Sequence, residues 1–247
     1  MNLRNIIVTV ILLLLLCSCN KRNVQVLKIG TNAEYPPFES IKDGSFVGID
    51  MDLAARIASK LNLDYEIIDM DFDRLIPALK AGTIHMAISA ISITDDRQYE
   101  VEFSSPYYVA NQAIITHAEN HMVLNTIQDL TLYRVGAQKG STGLAYIKEN
   151  FVDKDLMPKE KLLVYSSISD AIDDLVQGDL DFFVIDDSAA HAYKKAQPLK
   201  SALTIETYES YAIALPKNAP LNKKIDAALQ DLIDSGEVLN IIQKHIH

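Results

Sequence analysis

Between residues 26 and 245, short β-branched and apolar runs alternate with stretches of helical period, and no other feature restricts the fold so strongly. The spacing predicts strands at 26–30, 65–69, 85–92, 132–137, 181–185 and 211–215, and helices at 51–61, 75–81, 144–151, 169–176, 189–196, 221–235 and 238–245. Strand, helix and strand in repeated succession form a largely parallel sheet with helices on both faces, because a parallel neighbour is reached only by a crossover. A chain of roughly 220 ordered residues in this pattern suits two small α/β lobes better than one large sheet. No internal repeat or low-complexity linker breaks the series.

The chain has 247 residues, 49% apolar and 23% charged, which is a globular composition. Twenty-three basic residues against 33 acidic ones give a net charge of −10. Nucleic acid repels such a chain and is not an expected partner.

The only long apolar run lies at the start, where residues 6–16 are apolar apart from Thr9 and follow Arg4. Eleven residues rise about 17 Å as a helix, too short to span a bilayer. A basic start, a short apolar core and then small residues make residues 1–18 a secretory signal peptide. Leu16-Cys17-Ser18-Cys19 resembles a lipobox, in which Cys19 is lipidated, with palmitate among its acyl chains, and becomes the first residue. Cys17 departs from the small residue usual there; an ordinary signal peptide cut near Ser18, or a plain signal anchor, is the alternative. Residues 19–25 are then the lipidated cysteine and a polar tether, holding the body to a membrane without a spanning helix. No cysteine follows Cys19, so the mature chain forms no internal disulfide and rests on its core alone.

Ligands of open α/β sheets bind beyond the carboxyl ends of the strands. That rule selects Thr31-Asn32, Ser89-Ala90-Ile91-Ser92, Gln138-Lys139-Gly140-Ser141-Thr142 and Asp186-Asp187. Thr94 reads as the N-cap of a helix with Asp95 and Asp96 in its first turn, which puts Arg97 at the third helical position. A cation there opposes the helix dipole. Either it is paired locally with Asp95, Asp96 or Glu100, or it is a guanidinium fork that receives a carboxylate. Gly140-Ser141-Thr142-Gly143 before a helix is a capped turn whose free N–H groups can also hold an anion. Asp187 is placed to cap the helix from Ser188, which leaves Asp186 at the strand mouth in need of a lysine or a ligand ammonium. Tyr35 and Phe72 sit in loops, as core lids or as a pair flanking a side chain.

Catalytic patterns are missing. The sequence holds no Gly-x-Ser-x-Gly elbow, no Walker loop and no dinucleotide Gly-x-Gly-x-x-Gly. His117 and His121 have helical spacing, and His245 and His247 lie at the C-terminus; without an accompanying glutamate or cysteine pattern they read as solvated, and no metal or cofactor is expected.

Six segments in order carry a resemblance. They are residues 30–39 (Gly-Thr-Asn-Ala-Glu-Tyr-Pro-Pro-Phe-Glu), 47–53 (Val-Gly-Ile-Asp-Met-Asp-Leu), 72–79 (Phe-Asp-Arg-Leu-Ile-Pro-Ala-Leu), 87–97 (Ala-Ile-Ser-Ala-Ile-Ser-Ile-Thr-Asp-Asp-Arg), 103–108 (Phe-Ser-Ser-Pro-Tyr-Tyr) and 135–142 (Val-Gly-Ala-Gln-Lys-Gly-Ser-Thr). Together they resemble the polar amino-acid-binding proteins of ABC importers, the solute-binding protein family 3, over residues 27–245. The resemblance implies an α/β, type 2 periplasmic-binding-protein fold: two lobes, each a mostly parallel sheet flanked by helices, joined by strands crossing near 111–116 and 206–210. The first lobe would comprise 26–112 and 210–247, the second 113–209.

The same resemblance implies roles. Arg97 would take an α-carboxylate, helped by the N–H groups of Ser92 and Thr142. Asp186 would take the α-ammonium, beside the Ser92 hydroxyl and the Ala90 carbonyl. Tyr35 and Phe72 would flank the ligand side chain, and Ser89, Ser141, Asn32 and Gln138 complete the site. Asn32 stands where relatives for glutamine and basic amino acids often carry aspartate, so Glu34, Glu39 or Asp73 would have to supply negative charge. The implied protein is a monomeric, extracytoplasmic, non-enzymatic lipoprotein. It would bind a polar or basic L-amino acid (glutamine, arginine or lysine) and serve a permease. Two rival expectations are a cyclohexadienyl dehydratase using Glu34 or Asp73 as proton-transfer acid, and a sensor for a separate receptor.

Overall fold

The computed structural model describes residues 26–246; the expected signal peptide at 1–18, the expected lipidated Cys19 and tether at 19–25, and His247 lie outside the described residues. Strand β1 (Leu27–Thr31) leads into an antiparallel meander of β2 (Glu34–Tyr35), β3 (Glu39–Lys42) and β4 (Ser45–Val47). Helix α1 (Ile49–Leu61) follows, burying Ile49, Leu53, Ala54, Ile57 and Ala58 at helical spacing, and Asn62 closes it in the left-handed region. The meander caps this helix: Ile49 N–H donates to the Pro37 carbonyl at 3.0 Å and Asp50 N–H to that of Phe38 at 2.9 Å. Gly48, at φ 136°, makes this fit possible, because a Cβ there would lie 2.1 Å from the Phe38 oxygen. Two of the six sequence segments thus belong to one structural unit.

Next come β5 (Tyr65–Asp69), α2 (Leu75–Lys80), β6 (Met86–Ala87), α3 (Asp95–Glu100), β7 (Glu102–Phe103) and the long β8 (Tyr108–His117). The second lobe continues with β9 (Val135–Gln138), α4 (Thr142–Ile147), β10 (Leu162–Tyr165), α5 (Ile168–Gln177), β11 (Phe182–Asp186) and α6 (Asp187–Ala196). The long β12 (Leu199–Tyr211) leads back to β13 (Ala214–Leu215), α7 (Asn222–Asp234) and α8 (Glu237–Ile246).

Two five-stranded sheets result, in the orders β5-β1-β6-β13-β7 and β10-β9-β11-β8-β12. One strand in each, β13 and β8, runs against its neighbours. Strands β8 and β12 pair with each other and change cores along their length. Tyr107, Ala110 and Tyr211 pack with Leu27, Ile29 and Phe38, whereas Ala113, Ile114, Ile115 and Ile205 pack in the cores of the second sheet.

Several local expectations are corrected. Of residues 85–92 only Met86 and Ala87 form a strand, because Ala90 turns into the left-handed region (φ 46°) and carries the backbone off the sheet. The helix expected at 144–151 starts at Thr142 and gives way to a π-helical turn at Lys148–Val152. Strand β9 starts at Val135, since Ile127–Leu132 is a 3-10 helix. His117 ends β8 and His121 lies in a loop, so their spacing is not helical, and His245 meets Asp52 Oδ2 at 2.8 Å instead of being solvated. Among the described residues no helix is long and apolar enough to cross a membrane, and no three metal-ligating side chains cluster.

Candidate functional site

The strand ends of both lobes meet in one cleft. Arg97, Asp186, Ser92, Thr142, Ser141, Ala90, Ser89, Tyr35, Phe72, Asn32 and Gln138 all line a single cavity of about 460 Å³, counting the part open to solvent. The sequence thus brought eleven residues from both halves of the chain to one place. Glu39, Gln112, Gly143 and the apolar wall of Ile168, Phe183, Val184 and Ile185 complete the lining.

Thr94 caps α3, its hydroxyl accepting from Arg97 N–H at 3.2 Å. The Arg97 side chain makes none of the local ion pairs with Asp95, Asp96 or Glu100; Glu100 pairs with Lys80 instead. Its Nη1 donates to the Ser92 carbonyl at 2.7 Å and its Nη2 to the Gly140 carbonyl at 3.0 Å, and the guanidinium lies 5.4 Å from the Phe72 ring centre. Burial pulls its pKa below the ordinary arginine range, opposed by the charges of Glu209 and Asp186. A guanidinium has five N–H donors, so two backbone bonds orient it and leave others for a ligand.

Asp186 departs from expectation in detail. Helix α6 begins directly at Asp187, one residue earlier than the sequence suggests, so Asp187 is not the cap; its Oδ1 accepts from the Ser188 hydroxyl at 3.3 Å. Asp186 precedes the helix but makes no capping bond, and its side chain turns into the cleft. There it accepts from Gln112 Nε2 and the Tyr211 hydroxyl, while its own N–H donates to Tyr35 Oη at 3.1 Å. Burial, and next the charge of Glu209, push its pKa up to about 7. Burial, with Asp186 next, also holds the Tyr35 and Tyr211 hydroxyls well above the usual tyrosine range.

Ser141 caps α4 by accepting from Leu144 N–H at 3.0 Å. Gly143 beside it is needed for packing, because a Cβ there would sit 2.8 Å from Val184 Cγ1 and 3.0 Å from Gln112 Oε1. Across the cleft, Gln138 Nε2 donates to Asn32 Oδ1 at 2.8 Å, and Asn32 N–H donates to Ser89 Oγ at 3.0 Å.

The three acids considered for the ligand side chain are already engaged. Glu34 Oε2 accepts from Ile168 N–H at 2.7 Å, and Asp73 pairs with Lys139 at 3.0 Å. Glu39, 1% exposed, takes the Ser89 hydroxyl at 2.7 Å. It lies against Asp50, fully buried, whose Oδ2 accepts from Ala90 N–H at 2.8 Å and Tyr107 Oη at 3.0 Å. Burial and then Asp50 push the Glu39 pKa well up, and burial pushes Asp50 up to about 6. Glu39 Oε2 and Asp50 Oδ1 are buried without a hydrogen-bond partner, so burial and mutual repulsion disfavour ionising both carboxyls together.

Two hinge residues were not singled out by sequence. Gln112 on β8 and Glu209 on β12 reach the cleft from behind, and Gln112 Nε2 donates to Glu209 Oε1 at 3.0 Å. Glu209 Oε2 accepts from Ser92 Oγ at 2.6 Å and Thr142 Oγ1 at 2.7 Å. Both lie within the expected crossings; the available signal was a polar side chain on a strand that changes lobes.

Comparison with known proteins gives a consistent result. A family model described as bacterial extracellular solute-binding proteins, family 3, matches residues 27–247. The arginine-binding extracellular protein ArtP of Bacillus subtilis is 32% identical over 224 residues, 88% of this chain and 85% of that protein. An ancestral arginine-binding protein bound to arginine superposes with a TM-score of 0.83 at 36% identity, covering 90% of this chain and 98% of the other. The arginine-, lysine-, histidine-binding protein ArtJ from Geobacillus stearothermophilus follows with a TM-score of 0.81 at 29% identity, covering 90% and 95%.

Proposed function

Since this chain belongs to the bacterial extracellular solute-binding proteins, family 3, we propose that its cleft captures one polar or basic L-amino acid, arginine first among them, by hinge closure and presents it to the permease of an ABC transporter. One observation carries the reading: Arg97 from the first lobe and Asp186 from the second face one cavity. A free amino acid bears the complementary pair, a carboxylate and an ammonium on one carbon.

In this reading Arg97 holds the carboxylate with the N–H groups of Ser92 and Thr142. Asp186 holds the ammonium beside the Ser92 hydroxyl and the Ala90 carbonyl. Tyr35 and Phe72 flank the side chain, while Asn32, Gln138, Ser89 and Ser141 form the polar rim. The lobes divide at residues 112–113 and 209–210, and Cys19 carries the lipid that keeps the protein beside its permease, where tethering raises local concentration. A dehydratase would need a free acid in the cleft, and both acids weighed for that part, Glu34 and Asp73, are bonded outside the cavity lining.

Closure buries both ligand charges, so loss of either protein partner leaves a charge uncompensated, at about 3–5 kcal/mol or two to four decades in affinity. A thermal-shift screen of the purified protein, refolded to strip carried ligand, against the twenty L-amino acids and prephenate tests this. A ligand at a hundred times its Kd stabilises by about 2.7 kcal/mol, several degrees in Tm. The expected result is a shift with a few polar or basic amino acids that vanishes in Arg97→Ala. A flat amino-acid panel, or a shift with prephenate alone, overturns the proposal.

A further inference from the structure

We propose that Glu209 makes the cleft selective for amino acids of net positive charge, acting through the charge balance of the closed site; this rests on the amino-acid-binding reading. With a ligand ammonium beside Asp186 to hold it ionised, the cleft brings one cation, Arg97, against two carboxylates, Asp186 and Glu209, tied together through the Gln112 amide. Glu39 in the cavity wall and Asp50 behind it are held apart from this balance, because their oxygens are bonded to the Ser89 and Tyr107 hydroxyls and the Ala90 N–H. A neutral zwitterion adds one charge of each sign and leaves the set of Arg97, Asp186 and Glu209 one negative charge in excess. A ligand with a cationic side chain brings it to neutrality, and an acidic ligand doubles the excess. Closing a low-dielectric cleft over an unbalanced charge is costly, so the balance is read at closure.

The placement of Glu209 is built. The register of β12 against β8 shifts between Ile205 and Glu209, and Tyr208 stands at φ 50°, a conformation that costs a tyrosine energy. This irregularity delivers the Glu209 carboxylate to Ser92 of the first lobe and Thr142 of the second, which both donate to the same oxygen. In this structure a single Glu209 oxygen thus joins the two lobes. The groove outside is acidic as well: Asp95, Asp96 and Glu149 line it with Glu209. This also explains how the site can dispense with an acid at position 32: the additional negative charge enters from the hinge instead of from the side-chain end.

The test compares L-arginine with L-citrulline, its uncharged near-isostere, by calorimetric titration of the purified wild-type protein, Glu209→Gln and Glu209→Asp. Arginine is expected to bind the wild type at least tenfold more tightly than citrulline. Glu209→Gln should shrink that ratio about tenfold, equivalent to about 1.4 kcal/mol, and Glu209→Asp, which keeps the charge, should largely preserve it. Arginine binding with the same ratio in Glu209→Gln overturns this inference and leaves amino-acid binding intact. Tighter arginine binding by Glu209→Gln also overturns it, marking Glu209 as a competitor for the ligand's place. If the wild type binds none of the twenty amino acids, the functional reading fails and this inference with it.

Discussion

Glu34 of the first lobe accepts the backbone N–H of Ile168, the first residue of helix α5 in the second lobe, at 2.7 Å, and the hydroxyl of the N-cap Ser167 at 3.2 Å. A carboxylate at a helix N-terminus is favoured by the unpaired N–H groups and the helix dipole. The Tyr193 hydroxyl donates to the Glu34 carbonyl at 2.7 Å, so one residue clasps the second lobe through side chain and backbone together.

Glu34→Ala should therefore loosen closure without unfolding either lobe. The contact is worth about 1–2 kcal/mol, so ligand affinity should fall roughly five- to thirtyfold. Small-angle scattering of the ligand-free variant should give a larger radius of gyration than the wild type. Equal affinity and an unchanged radius would show that the contact does not hold the lobes together.

Asp186 sets a pH dependence. Its pKa, pushed up to about 7 by burial and then by Glu209, lies above the unfolded value of about 3.9. The unfolded chain thus releases this proton first, and the stability it represents is full below about pH 4 and lost as pH rises through 7. The groups facing it are Glu209, Gln112, Tyr35, Tyr211, Asp187 and, across the cavity, Arg97. Asp186→Asn removes the penalty, so the ligand-free variant should melt above the wild type at pH 8 and close to it at pH 5, while losing amino-acid binding. A variant that melts lower at pH 8 would contradict this.

Glu39 and Asp50 give a third expectation. Glu39→Gln puts an amide N–H where a proton held between the two carboxyls would lie, so it should change stability by less than about 1 kcal/mol at pH 6. The balance should move in the variant's favour as pH rises, because the wild-type pair must keep its proton. Glu39→Ala instead strands Ser89 and Asp50 and opens a cavity, costing about 2–4 kcal/mol. Urea midpoints across pH 5–8 distinguish the two; equal losses in both variants would exclude a shared proton.

The positions of Asn32, Gln138 and Asp186 were legible because each stands at or directly after the end of a strand whose period announces where it ends, whereas Ser92 lies five residues past the short β6, beyond the turn at Ala90. The capping of α3 by Thr94 was equally local, and so was the oddity of Arg97 in its first turn. The meander at 34–47 escaped notice because its strands are two to four residues long and partly exposed, too short for a period to show. Strand β12, of which the family resemblance gave only the crossing near 206–210, left no period for another reason: it changes core between Ile205 and Tyr211 and is interrupted by bulges, so no single alternation runs along it.

By itself, then, the sequence determined most of the α/β elements, most of the strand ends that line the cleft and the family likeness, each read from runs of about a dozen residues or fewer. The tertiary structure decided which charges are free to act. Glu34, Asp73 and Glu39 looked equivalent in the chain; one clasps a helix 134 residues away, one pairs with Lys139, and one is buried against Asp50 and takes the Ser89 hydroxyl. Glu209 lies 117 residues from Ser92 and 67 from Thr142, yet bonds to both. Helical and strand periods are short-range properties of the chain, whereas the charge of a closed cleft is the sum over whatever distant segments the fold brings around it.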